Sequence, residues 1–223
     1  MNRKIDDKSF VVTGQKYLQS VIDDLNNANS SLNRYINLQL IDAIPNFPKN
    51  SSRTTRAEIL YINRCQREAT DSEILFTQKV HDLDNNYKLW SIVAKKLCNL
   101  SLDKEFFNQI TNQTEGLINY VKLCFARLRP FQLAPQIDIK LDRLVDNRYT
   151  TASYPSGHSC EAYLFANILG DMQPKKRKMI FDIAEKISHS RLIAGVHYPS
   201  DLMAGRFLAY QIFSNNLCNY KKI

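Results

Sequence analysis

Glycine and proline are scarce, 6 and 7 among 223 residues. That excludes collagen-like and linker-rich chains. It also argues against a many-turned β-sandwich, which places those residues at its turns. Long apolar runs are missing too. Stretches such as Leu192–Val196 fall far short of the roughly 18 residues needed to cross a bilayer. The first fifteen residues, MNRKIDDKSFVVTGQ, carry early cations, but Asp6 and Asp7 interrupt them and no apolar segment follows, so no secretory signal is read there. The five cysteines (Cys65, Cys98, Cys124, Cys160 and Cys218) are odd in number and show no C-x-x-C spacing. They read as buried, reduced thiols rather than as a zinc site or disulfide framework.

What is present is ordinary for a globular chain: 44% hydrophobic and 23% charged residues, enough apolar surface for a core without staples. The net charge of +8 favours anionic partners in encounter but does not define chemistry. Apolar residues recur at helical spacing over residues 9–44, with Val11, Tyr17, Leu18, Val21, Ile22 and Leu25 leading. A loop is predicted at Pro45–Ser52. Helix is predicted over 56–83, then a turn at Asp84–Asn86, then helix over 87–98. Another helix starts near Ser101–Lys104 and runs towards Leu128, where Pro130 stops it. Residues 131–157 read as a long irregular loop, the kind that is usually functional in a compact domain. Helices over 159–171, 175–190 and 199–217 complete the chain. The expected fold is all-α, a compact single-domain helical bundle over 1–223, with 1–44 a helical segment of unassigned role and 55–210 the catalytic core.

Three segments carry candidate chemistry. In Lys122-Leu-Cys-Phe-Ala-Arg-Leu-Arg129-Pro130 the two cations stand two helical turns apart and are read as sharing one face. In Ser153-Tyr-Pro-Ser-Gly-His158, Gly157 allows close backbone approach, and the helix that follows aims N–H groups and its positive dipole end at an anion. Ser156 adds a hydroxyl, and His158 a group that titrates near neutrality. In Ser190-Arg191 … His197-Tyr-Pro-Ser-Asp201, Pro199 suits a first helical turn, which brings the Asp201 carboxylate within reach of one nitrogen of His197. Singly, each segment has a plain reading: a solvated basic face, a capped helix, a structural His–Asp pair. Jointly, Lys122, Arg129 and Arg191 as cations, Ser156 and Gly157 as neutral donors, and two histidines make a set that suits a tetrahedral oxyanion such as phosphate.

The order K-x6-R-P, P-S-G-H, S-R-x5-H-x3-D resembles the three-part signature of the type 2 phosphatidic acid phosphatase superfamily. Its context looks most like the soluble bacterial class A non-specific acid phosphatases. The resemblance implies a helical bundle and metal-independent hydrolysis of phosphate monoesters through a phosphohistidine. It implies His197 as nucleophile, Asp201 as its orienting carboxylate and His158 as general acid, with Lys122, Arg129, Ser156, Gly157 and Arg191 holding the phosphate. No cofactor or metal is implied, and vanadate is the expected phosphate-mimicking inhibitor. Ser159, Cys160 and Tyr198 depart from residues common in those enzymes. Class A members are normally exported, whereas this sequence reads as soluble and cytoplasmic as written, or periplasmic or secreted if a signal was removed. The rate is expected to be bell-shaped in pH, peaking at about pH 5–6.5.

Rival readings keep the same residues. A lipid or isoprenoid diphosphatase could use this cradle, with Tyr61, Phe76 or Trp90 lining an apolar site. A vanadium haloperoxidase shares the oxyanion geometry but is usually a longer chain. A polyanion-binding module would lean on Pro174-Lys-Lys-Arg-Lys178, which is more simply a solvated helix start; no recognised nucleic-acid signature supports it. The expected partner is a small phosphate ester, with no specific nucleic acid and no transmembrane segment. A homo-oligomer, the physiological substrate and the mono- versus diphosphate preference stay open.

Overall fold

The computed structural model describes residues 43–145 and 151–222. The helical pattern read over residues 9–44 lies almost wholly outside them. Every described element is helical and no strand occurs among the described residues, as the scarcity of turn residues and alternating patterns implied.

Helix α1 spans Arg53–Glu68 and begins where the Ser52 hydroxyl accepts the Thr55 N–H. The segment read as one helix over 56–83 is broken after it. Thr70 and Glu73 form a reciprocal capping box that starts a new helix, α2, at Asp71–His81. Asp82 then caps α3, Leu83–Val93, by accepting the Asn85 N–H. The predicted turn at Asp84–Asn86 is therefore inside a helix. Its Asp and Asn residues suit a first helical turn as well as a loop, and spacing alone does not separate the two. The α3 backbone continues as a π-turn, Ala94–Cys98, and closes at Asn99 in the left-handed region.

Helix α4, Lys104–Phe125, starts at the Asp103 cap and ends on Ala126, whose φ is +43°. It stops before Pro130, so Arg129 does not lie on it. Pro130 instead opens a short helix, α5, Pro130–Leu133, followed by a 3-10 turn at Ala134–Ile137. The long loop is thus partly ordered helix. Beyond it, Gln66 on α1 clasps the Asp142 N–H and the Ile193 carbonyl. Gly195, at φ +74°, makes room for that strand of chain, since a Cβ there would stand 2.5 Å from the Asp142 carbonyl oxygen.

Helices α6 (Gly157–Met172), α7 (Arg177–Ile193) and α8 (Pro199–Ser214) finish the bundle. Residues 159–170 of α6 are buried without exception, the mark of a helix surrounded on all sides. Phe165 sits at its middle with Tyr87, Trp90 and Phe107 edge-on around it, ring centres 6.3, 5.8 and 5.0 Å away. Trp90 is wholly buried there and cannot line a ligand site as the diphosphatase reading supposed. Of the cysteines, Cys98, Cys160 and Cys218 are buried, Cys65 is half-buried and Cys124 is exposed, all of them free thiols. The cluster at Pro174–Lys178 is exposed at the start of α7, a solvated helix start as read.

Candidate functional site

Lys122 occupies the last turn of α4. Its ammonium donates to the Ala152 and Pro155 carbonyls at 2.9 and 2.7 Å, deep enough that only 5% of the residue is exposed. Burial, and then the neighbouring Arg129, pull its pKa well below the ordinary lysine value. Arg129 precedes α5 and reaches the same place by a different route from the one the spacing suggested. The left-handed Ala126 turns the chain back, and the guanidinium donates to the carbonyls of Thr151, Ala152 and Val196. Lys122 and Arg129 do converge, but across a helix end rather than along one face.

Arg191, in the last turn of α7, is fully buried. It donates to the Thr77 carbonyl at 3.0 Å and to the Ser190 hydroxyl, which itself donates to Ile187. The loop Ser153–Ser156 contains a cis Tyr154–Pro155 bond and leads into α6. Ser156 is its cap: the hydroxyl oxygen accepts the Ser159 N–H at 3.3 Å, which leaves the hydroxyl proton to donate elsewhere. Gly157 and His158, both half-buried, form the first turn.

The His197 ring is bracketed. Its Nδ1 lies 3.4 Å from Asp201 Oδ2 and its Nε2 3.4 Å from Nη1 of Arg129. A carboxylate can only accept and a guanidinium can only donate. Nδ1 therefore carries the proton, and Nε2 presents its lone pair towards the cationic side of the site. Burial, with help from Arg129 and Lys122 against the pull of Asp201, lowers the His197 pKa to about 3. At His158 the same logic applies to one nitrogen. Its Nε2 lies 3.2 Å from the His81 carbonyl, so it must donate there. Burial and Arg191 push the His158 pKa well below 6.5.

Asp201, at the start of α8, is fully buried and heavily held. Burial pushes its pKa up, yet Arg127, His197 and Ser153 together hold it below the usual carboxylate range. It accepts Arg127 Nη1 at 2.7 Å and the Tyr198 N–H at 2.9 Å, and the Ser153 hydroxyl as well. Arg127 continues the chain of charges to Glu58 at 2.9 Å and lies over the Tyr198 ring at 3.7 Å. Glu58 in turn accepts the Ser200 N–H at 2.8 Å. The motif reading passed over Arg127, Glu58, Ser153 and His81. Arg127 sits inside the first motif as a third cation, the one signal available. Nothing in spacing marks Glu58 or His81.

All eight residues singled out from the sequence converge on this end of the bundle, where the ends of α4, α6, α7 and α8 meet. Gly205 permits the meeting: a Cβ there would lie 2.5 Å from the Ser156 carbonyl oxygen. Among the described residues no cluster of His, Cys, Asp or Glu could hold a metal ion. The arrangement offers cations and donors around one point, a neutral imidazole with a lone pair aimed there, and a second imidazole beside it. Those are the groups that binding a tetrahedral oxyanion would require.

Comparison with known proteins bears on family and fold. Residues 108–214 match the PAP2 superfamily, a stretch that contains every one of those eight residues. The chain is 29% identical over 111 residues to the non-specific acid phosphatase of Providencia stuartii and 36% identical over 149 residues to that of Salmonella typhi. Those matches cover 48% and 65% of this chain, and the chain spans only 43% and 56% of the relatives' lengths. The fold is similar to the crystal structure of a transmembrane PAP2-type phosphatidylglycerolphosphate phosphatase from Bacillus subtilis. The TM-score is 0.51 at 20% identity, over 83% of this chain and 92% of that one, a likeness of fold. No helix among the described residues is long and apolar enough to cross a membrane. A PAP2-superfamily region thus occupies residues 108–214 of the chain.

Proposed function

We propose that the chain is a metal-independent acid phosphatase that hydrolyses phosphate monoesters through a phosphohistidine at His197, with residues 55–210 its catalytic core. The supporting observation is the bracketing of His197 between Asp201 and Arg129, which leaves Nε2 unprotonated and facing the cations. The Nε2 lone pair attacks phosphorus in line, and the P–O bond to the leaving group breaks. Protonated His158 gives its proton to the departing oxygen. Neutral His158 then takes a proton from water, whose oxygen attacks phosphorus. The P–N bond breaks and phosphate leaves, and His197 is regenerated.

Lys122, Arg129, Arg191, the Ser156 hydroxyl and the Gly157 N–H hold the phosphoryl oxygens, whose charge grows in the transition state. Asp201 keeps Nδ1–H in place and stabilises the imidazole as positive charge develops on it. The names of the relatives, non-specific acid phosphatases, support this choice over a diphosphatase or haloperoxidase.

The test is release of phosphate from p-nitrophenyl phosphate at mildly acidic pH in excess EDTA, with and without vanadate. Rapid, vanadate-sensitive release that survives EDTA is the expected result. No release, or release abolished by EDTA, would overturn the reading. Farnesyl diphosphate assayed in parallel decides between mono- and diphosphate substrates.

A further inference from the structure

His81 belongs to none of the three motifs, yet it touches both sides of the site. It is the last residue of α2 and is half-buried. Its main-chain carbonyl takes the Nε2–H of His158 at 3.2 Å, and its ring lies parallel to that of His158, 15° between planes and 5.8 Å between centres. Its Nδ1 stands 3.4 Å from Nη1 of Arg191. Because a guanidinium only donates, Nδ1 of His81 accepts, and the ring proton sits on Nε2.

We propose that His81 is a positioning residue for the phosphatase reaction, coupling the phosphate-binding Arg191 to the leaving-group acid His158; this rests on the reading above. Two separable consequences follow from its two contacts. The acceptor at Nδ1 aims one arm of Arg191, which bears on binding of every substrate. The parallel ring, together with the carbonyl that accepts Nε2–H, fixes the plane of His158. That matters only when the leaving oxygen needs a proton: nitrophenolate leaves without much help, and an alkoxide does not. His81 thereby helps to set how far the enzyme tolerates poor leaving groups.

The experiment compares wild type with His81→Leu and His81→Asn on p-nitrophenyl phosphate and on an alkyl phosphate, with melting temperature measured alongside. Asn places its amide oxygen where His carries Nδ1, so it restores the acceptor to Arg191 but not the ring. His81→Leu is expected to raise KM for both esters about tenfold, the scale of one hydrogen bond to a charged group. It should also lower kcat for the alkyl ester more than for the nitrophenyl ester. His81→Asn is expected to return KM towards wild type while keeping the lowered alkyl-to-nitrophenyl kcat ratio. If the Leu variant does not fold, that Asn signature alone carries the test.

Variants that match wild type on both esters would overturn the proposal. So would losses equal on both esters and unrelieved by Asn, which is what a loosened fold produces. A wild type inactive on both esters would overturn the parent reading instead.

Discussion

Arg127 holds the Asp201 carboxylate on one side while His197 meets it on the other. Three side chains in line, Glu58, Arg127 and Asp201, all nine-tenths buried or nearly so, keep a charge where the imidazole needs it. Such an array is costly to break from within, because removing one member strands the rest without compensation. Arg127→Met is expected to destabilise the fold by about 3 kcal/mol or more, read from denaturant unfolding. It should also cut turnover by loosening Asp201. A stability change within experimental error would show that Asp201 does not depend on Arg127. His197→Ala should abolish turnover of p-nitrophenyl phosphate while leaving the melting temperature close to wild type; a variant with near-wild-type rates would remove His197 as nucleophile. At this scale the motif residues were readable because their chemistry is tied to residue type. Arg127 and Glu58 were not, because burial of a charge is a property of the finished packing.

The elements that deliver these residues depend on how helices end. Sequence pattern located α4, α6, α7 and α8 to within a few residues, and the start but not the end of α1, since each carries a periodic or dense apolar pattern. It failed at the joints. The division between α1 and α2 rests on a capping box at Thr70, and α4 ends on a left-handed alanine that no propensity favours. Asp84–Asn86 looks like a turn and is a helix start.

The contact between α8 and the first turn of α6 is equally hidden, because it hinges on Gly205. There Gly205→Ala would force a methyl to 2.5 Å from the Ser156 carbonyl. It is expected to lower both the melting temperature and kcat/KM by pushing α6 and its Ser156–Gly157–His158 turn away. Gly157→Ala provides the contrast. Its Cβ would meet only Ile118, at 3.9 Å, so the fold should hold while phosphate binding weakens. If the two alanine variants behaved alike in both stability and activity, the close approach at Gly205 would not be what seats the site.

Across the molecule the cations and the burial act together on protons. His197 falls from an ordinary 6.5 to about 3 on folding, and His158 also falls. The unfolded chain therefore takes up protons first as pH drops. Stability contributed by these two neutral rings is full above about pH 6.5 and declines below it. Asp201 works in the same sense from a lower starting point. Its stabilisation is present above its ordinary 3.8 and is lost only as pH falls through the folded value beneath. The melting temperature is accordingly expected to fall between pH 7.5 and about 4.5, and a flat or rising curve over that range would contradict the burial of both imidazoles.

For activity, the depressed His158 places the basic limb of kcat/KM on the acid side of 6.5. The acid limb set by His197 lies near 3. The optimum should therefore sit lower than the sequence alone suggested, because burial was not readable there. Whole-molecule class was legible from the outset in the scarcity of glycine and proline and in the order of three motifs.

We infer that phosphorus passes through His197 rather than directly to water. That route is tested most directly by the stereochemical course of hydrolysis of a phosphate ester made chiral with oxygen isotopes. Two in-line displacements, onto the imidazole and then onto water, predict net retention of configuration at phosphorus. Net inversion would mean that water attacks in a single step, and would contradict the account.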